Sequence, residues 1–314
     1  MNKSATGYLL IVIACLLTLA PSGSSFAADY KASFLYKLSD FSGFKPLNSA
    51  RLSLDPVKQE IYVIGIGTVY IFNNSGMEIY RFEQDPTIGT YLDIFYTSDR
   101  KMVVLAANGP QFRLVICNFR GEPMGEIRLT GFPPEFENFF PNRVVARNGK
   151  LFLASYNSMR VAVTDENGVF LRGYDLIKTF ELKETQRVDT GLGGFTVDKD
   201  ETMYCSVPAL ANVFVLRADG TTAVFGKRGS TNGRFGVNAG VAVDRDGNIL
   251  VADKLRATVM VFDKNFTLLT EFGRRGFGPG DLIVPDSLLV DENNKAYVSN
   301  MRKRGVVVYQ LSGS

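Results

Sequence analysis

Histidine and tryptophan are absent from this 314-residue sequence, and cysteine occurs only three times. Without imidazole there is no Ser-His-Asp or Cys-His machinery, no zinc site built on histidine and no haem held by a proximal histidine. Excess charge is scarce as well. The formal net charge of +3, from 35 Lys and Arg against 32 Asp and Glu, gives no case for nucleic-acid binding by bulk electrostatics. Long apolar runs are also missing: the best, residues 9–20, falls short of the roughly 20 residues that a membrane-spanning helix needs.

That short apolar run has a different use. Lys3 precedes it, and a Pro/Gly/Ser stretch follows, ending Ser25-Phe26-Ala27 with small residues at the −3 and −1 positions of a cleavage site. The pattern predicts a signal peptide over residues 1–27 and a mature domain over 28–314, placed in the periplasm or secreted. Val12-Ile13-Ala14-Cys15 offers the alternative of a lipoprotein anchor through Cys15, but the apolar run continues past that cysteine and suits an ordinary signal core better. Cleavage leaves Cys117 and Cys205, both inside apolar strand-like runs (LVICNF and TMYCSV), which are expected to be buried thiols and not a disulfide.

What the sequence does have is repetition. VNAGVAVDRDGNILVAD from Val237 and VPDSLLVDENNKAYVSN from Val284 superpose without a gap, each an apolar strand ending in Asp, a polar turn and a second apolar strand. The same frame fits four earlier segments. The position of Asp244 is held by Asp55, Thr97, Ala146, Asp198 and Asp291, at successive spacings of 42, 49, 52, 46 and 47. A period in the forties is that of four-stranded propeller blades. A third strand recurs as VYIF from Val69, LVIC from Leu114, VAVT from Val161, VFVL from Val213, VMVF from Val259 and VVVY from Val306.

The sixth unit stops after its third strand, and residues 34–38 have the character of the missing fourth. The sequence therefore predicts an all-β, six-bladed β-propeller of four-stranded blades, closed when the N-terminal strand joins the last blade and removes an open edge. FGRRGFGPGDL from Phe272 looks like a phosphate cradle, yet FGKRGSTNGRFG precedes it by one period and no helix follows either. Both read as connectors in which the chain crosses from an outer strand to the next inner one.

On these residues the chain resembles the NHL-repeat family. Gly273 to Pro285 reads G-x-x-G-x-G-x-G-x-L-x-x-P and is followed by VDENNKAYVSN, and FGVNAGVAVDRDGNILVADKLRATVMVFD from Phe235 follows the same pattern. Arg113-Leu114 and Arg160-Val161 keep the family's Arg-apolar pair, whereas the fifth unit has Arg256-Ala257-Thr258-Val259. The resemblance implies six blades around a central channel with a ligand-facing surface.

Fourth-to-first and second-to-third connectors share one face of a propeller, around the channel mouth, and that face is the default site. The inner-strand entrances place Arg51, Asp93, Asn142, Asp286 and Ser287 there as candidate binding residues. In propellers similar to lactonases, Asp, Asn and Glu hold Ca²⁺ at this place; Asp93, Asn142 and Asp286 have the right oxygen chemistry, but no Glu is among them. The zinc site implied by a likeness to peptidylglycine amidating lyases needs histidine and is not available. Two further surfaces are candidates for partner contact: a basic rim of Lys254, Arg256, Arg302, Lys303 and Arg304, and an aromatic loop with Phe132, Phe136, Phe139 and Phe140. The sequence is thus read as an exported, monomeric, non-catalytic binding or scaffolding module, without cofactor, for a protein or polysaccharide partner in the envelope. The alternative is a Ca²⁺-dependent lactonase or esterase-like hydrolase using the mouth carboxylates.

Overall fold

Short apolar runs of period two bury one face and must pair their backbone with a neighbour, so sequences of this kind close on themselves as sheets. The computed structural model, which describes residues 30–48, 50–302 and 304–313 and the backbone alone at Val188, contains six four-stranded antiparallel sheets. Their inner strands are Arg51–Asp55, Thr90–Tyr96, Arg143–Arg147, Gly194–Val197, Asn238–Val243 and Pro285–Val290. The chain is a six-bladed β-propeller. Residues 1–27, where a signal peptide is expected, and with them Cys15, lie outside the described residues.

Each blade shares its apolar residues with the next, so the core consists of six inter-blade clusters. Tyr62, Val69, Ile94 and Val104 fill the cleft between blades one and two, and Leu52, Ile61, Tyr297 and Val308 fill that between six and one. Cys117 and Cys205 are free and buried in two such clusters, where desolvation pushes their thiols up to about 11 and about 12.

The recurring Asp has a mechanical role. One carboxylate oxygen of Asp198, Asp244 and Asp291 accepts two backbone N–H groups of the turn that follows: Asp200 and Thr202, Asp246 and Asn248, Asn293 and Lys295, at 2.7–2.9 Å. The other oxygen accepts a tyrosine hydroxyl, from Tyr204, Tyr30 and Tyr297. Asp244 is thereby spent on a strand-joining turn. Blade three does without the Asp because Asn148 and Gly149 both take positive φ, 50° and 71°, and make a two-residue hairpin turn unaided.

The glycine-rich segments are connectors. Gly226 and Gly273 adopt φ of 97° and 77°, and a Cβ on either would run into Phe235 or Leu282, which are fully buried. Asp281 holds Arg274 at 2.9 Å and accepts the Gly278 N–H. The longest connector, between blades three and four, contains two single-turn helices, Leu176–Thr179 and Gln186–Asp189, a detail without any periodic signal in the sequence. Asp175 caps the first and grips Arg187 of the second at 2.8 Å.

Closure occurs as the repeat pattern predicts. Lys31–Lys37 pairs antiparallel with Val306–Ser312, Phe34 opposite Tyr309, and so supplies the fourth strand of blade six. Just before it, Tyr30 is buried against blade five, its hydroxyl 2.8 Å from Asp244. Deleting residues 28–40 exposes the edge of blade six and half of one cleft; the expected result is loss of soluble, cooperatively unfolding protein, seen by circular dichroism and urea titration. Tyr30→Phe is expected to cost only about 1 kcal/mol, because Asp244 keeps the Asn248 amide.

Candidate functional site

The channel opens into a funnel of about 1020 Å³ on the face formed by the fourth-to-first and second-to-third connectors. Its wall is uneven for a physical reason. Inner strands of blades four, five and six approach backbone to backbone: a Cβ at Gly194 would strike Ala239 and Gly240, and one at Gly240 would strike Asp286 and Ser287. Where glycine draws strands together, no long side chain fits between them. Blades one to three meet instead through charged side chains.

Two of these cross the funnel in opposite directions. Arg143, at the start of the blade-three inner strand, donates through Nη1 to the Leu52 carbonyl of blade one at 3.1 Å and to Asp93 of blade two at 2.9 Å. Arg51, at the start of the blade-one inner strand, reaches back to blade three, where its Nη1 donates to the Tyr156 hydroxyl at 3.2 Å and its guanidinium lies 5.6 Å from the centre of that ring. Burial works against the Arg51 charge, but Tyr156, Asp93 and Asp286 together outweigh it and raise its pKa above the ordinary value. On the glycine side Lys254 pairs with Asp286 at 2.5 Å.

The candidate residues therefore separate by role. Arg51, Asp286 and Ser287 line the funnel. Asp93 is fully buried behind it, with one oxygen on Arg143 and the other on the Val144 N–H at 2.9 Å. Asn142 fastens the connector, its side-chain oxygen accepting the Tyr156 N–H at 2.8 Å. Asp93, Asn142 and Asp286 are engaged with three different partners, Arg143, the Tyr156 N–H and Lys254. Strand irregularities between Tyr91 and Asp93 and between Pro285 and Ser287 aim these entrances, since a bulge turns the side chains that follow it.

The residues of the expected basic rim have separate surroundings. Arg256 is clamped by both oxygens of Glu271, at 3.1 and 2.7 Å, and by the carbonyls of Thr231 and Arg234, which makes it a strut between connectors. Lys254 is neutralised by Asp286. Arg304 lies 4.8 Å over the Phe277 ring and donates to its carbonyl. Arg302 is exposed at positive φ beside Met301 and Val284, and Lys303 lies outside the described residues. Among the described residues of the rim, Lys254, Arg256 and Arg304 thus each have a partner of their own.

The aromatic loop is corrected by the structure. Phe136 and Phe139 are buried, and with Phe132 and Phe170 they form a cluster of rings in the cleft between blades two and three. Phe140 packs edge-on against Phe112 at 5.8 Å. Gly173 on the outer strand of blade three leaves room for the Phe136 ring, where any Cβ would collide with it. The loop plugs a cleft.

Three contributors went unnoticed in the sequence: Arg143, Tyr156 and Tyr91, which borders the funnel beside the Gly89 turn while its side chain packs into the cleft between blades one and two. Arg143 follows a candidate by one position and could have been found from the inner-strand frame. Tyr156 has no repeat signature. The opposite mouth, about 900 Å³, is bordered by the turns of Asp198, Asp244 and Asp291, whose carboxylates are already committed.

A family model, DUF5128, described as a 6-bladed beta-propeller, matches residues 240–314. No curated protein matches the chain by sequence. Among solved structures, the chain is similar to a structural genomics protein of unknown function from Bacteroides thetaiotaomicron (13% identity, TM-score 0.66, covering 90% of this chain and 76% of that one). It is also similar to an auxiliary nutrient binding protein from Bacteroides ovatus (13%, 0.62, 91% and 77%) and to virginiamycin B lyase from Staphylococcus aureus (11%, 0.56, 91% and 88%). At these identities the likeness is one of fold.

If the aromatic loop is a plug, Phe136→Ala should lower unfolding free energy by about 3–5 kcal/mol, measured in urea. Gly173→Ala should also destabilise, and neither should alter what the funnel binds.

Proposed function

We propose that this chain is an exported binding propeller, NHL-like in its repeats, which holds a ligand or partner group in the funnel and performs no chemistry on it. One observation carries the reading: the carboxylates near the mouth are already engaged, Asp93 by Arg143 and a backbone N–H and Asp286 by Lys254, while a guanidinium faces the cavity. A general base needs an oxygen available to a substrate proton, and a nucleophile needs such a base beside it. Asp93 is sealed and offers neither. The propeller fold alone does not decide the matter, since it hosts a lyase in one similar structure and a nutrient binding protein in another.

Calorimetry with Ca²⁺ and a screen of lactones and esters provide the test, on the wild type and on Asp286→Ala. The expected result is no saturable calcium binding and no turnover in either protein. Tight calcium binding, together with turnover that Asp286→Ala abolishes, would establish the hydrolase and overturn the binding reading.

A further inference from the structure

The two arginines of the funnel are not equally satisfied. Arg143 is neutralised by Asp93 and tied to the Leu52 carbonyl. Arg51 enters no ion pair among the described residues, and its hydrogen bond there goes to a neutral acceptor, the Tyr156 hydroxyl, through one of the five N–H groups that a guanidinium carries. Asp93 and Asp286 stabilise its charge through space, yet among the described residues neither is hydrogen-bonded to it, so most of the fork is left to a ligand that brings paired acceptors. Tyr156 restrains Arg51 twice, by its hydroxyl and by its ring 5.6 Å away, so less rotamer freedom remains to be lost on binding. Asp286, on the inner strand of the neighbouring blade six, is held by Lys254 at 2.5 Å.

Resting on the reading of the funnel as a binding site, we propose that Arg51 is its selectivity residue and that the ligand presents a carboxylate to it. A carboxylate matches the planar fork with two parallel N–H···O bonds. The cavity of about 1020 Å³ then accommodates an uncharged body against Tyr91, Tyr156 and the glycine wall. Cavities of this size take ligands of disaccharide or dipeptide dimensions, and both sugar acids and peptide C-termini carry the required group.

The probes are galacturonate with its neutral counterpart galactose, and acetyl-alanyl-alanine with its C-terminal amide, titrated by isothermal calorimetry and ligand-observed NMR. At least one acid is expected to bind about tenfold or more tightly than its neutral counterpart, and the acid that binds identifies the source. Arg51→Gln should remove that preference, a loss of about tenfold to a hundredfold for the acid alone, and Arg51→Lys should recover only part of it because an ammonium lacks the fork. Should Arg51→Gln fail to fold, the wild type still decides: raising salt from about 0.05 to about 0.5 M must weaken acid binding several-fold and leave neutral binding unchanged. Equal binding of acid and neutral probes, no acid binding, or a preference that persists in Arg51→Gln overturns the assignment of Arg51. Equal binding of neutral probes would leave the funnel a binding site, so the two readings fail separately.

Discussion

A propeller has no layer beneath its blades, so its stability depends on completing a circle, and here that rests on the pairing of Lys31–Lys37 with Val306–Ser312. Apolar burial is shared in six clefts, and each blade is half of two of them. An unclosed ring would leave the cleft between blades six and one half-built, and the unpaired edge of blade six would be open to association with another chain. Tyr30 reinforces the closure from a third direction by tying the N-terminal strand to the blade-five turn through Asp244. One carboxylate thus serves a local turn and a long-range latch together.

The same circle sets the shape of the channel. Six inner strands cannot all touch, and in this chain the contact is concentrated on one side. Gly194 and Gly240 bring the strands of blades four to six within backbone contact, assisted by a hydroxyl bond from Ser206 to the Ala239 carbonyl. On the other side Arg51, Asp93 and Arg143 bridge blades one to three at side-chain length. Desolvating these charges is tolerable because Asp93 takes three donors at once, the Arg143 guanidinium and the N–H groups of Ile94 and Val144, which satisfies both of its oxygens. The funnel is therefore a consequence of where the repeats carry glycine and where they carry charge.

Much of this was legible in the sequence, for identifiable reasons. Spacing and strand character are local, and the Asp that caps each turn is a local device, so the blade count and the closing strand followed directly from the repeat frame. Even the deviant unit is readable in retrospect: Asn148-Gly149 needs no Asp because two residues of positive φ make the turn by themselves. The site was legible only in part. The inner-strand frame located Arg51 and Asp286 but could not show that Lys254, from a different connector and grouped with a basic rim, would neutralise the latter. Arg256 misled for the same reason, since its partner Glu271 sits on an outer strand whose pairing brings the two together. The phenylalanines misled because dense aromatics suit a contact surface and a plugged cleft equally well, and the absence of a side chain at Gly173 is what gives Phe136 its seat.

The two mouths of the channel finally differ in a way that bears on what each can do. At the lower mouth the carboxylates of Asp198, Asp244 and Asp291 are consumed by their own turns and by tyrosine hydroxyls, so their geometry is fixed by folding and any ligand would compete with the turns themselves. At the upper mouth the connectors are pinned from outside the cavity: Asp253 accepts the N–H groups of Gly236, Leu255 and Arg256, and Asn300 accepts that of Ile283. A ligand that enters there can engage Arg51 while the turns and connectors keep all of their bonds, which is the condition for binding without reorganising the propeller.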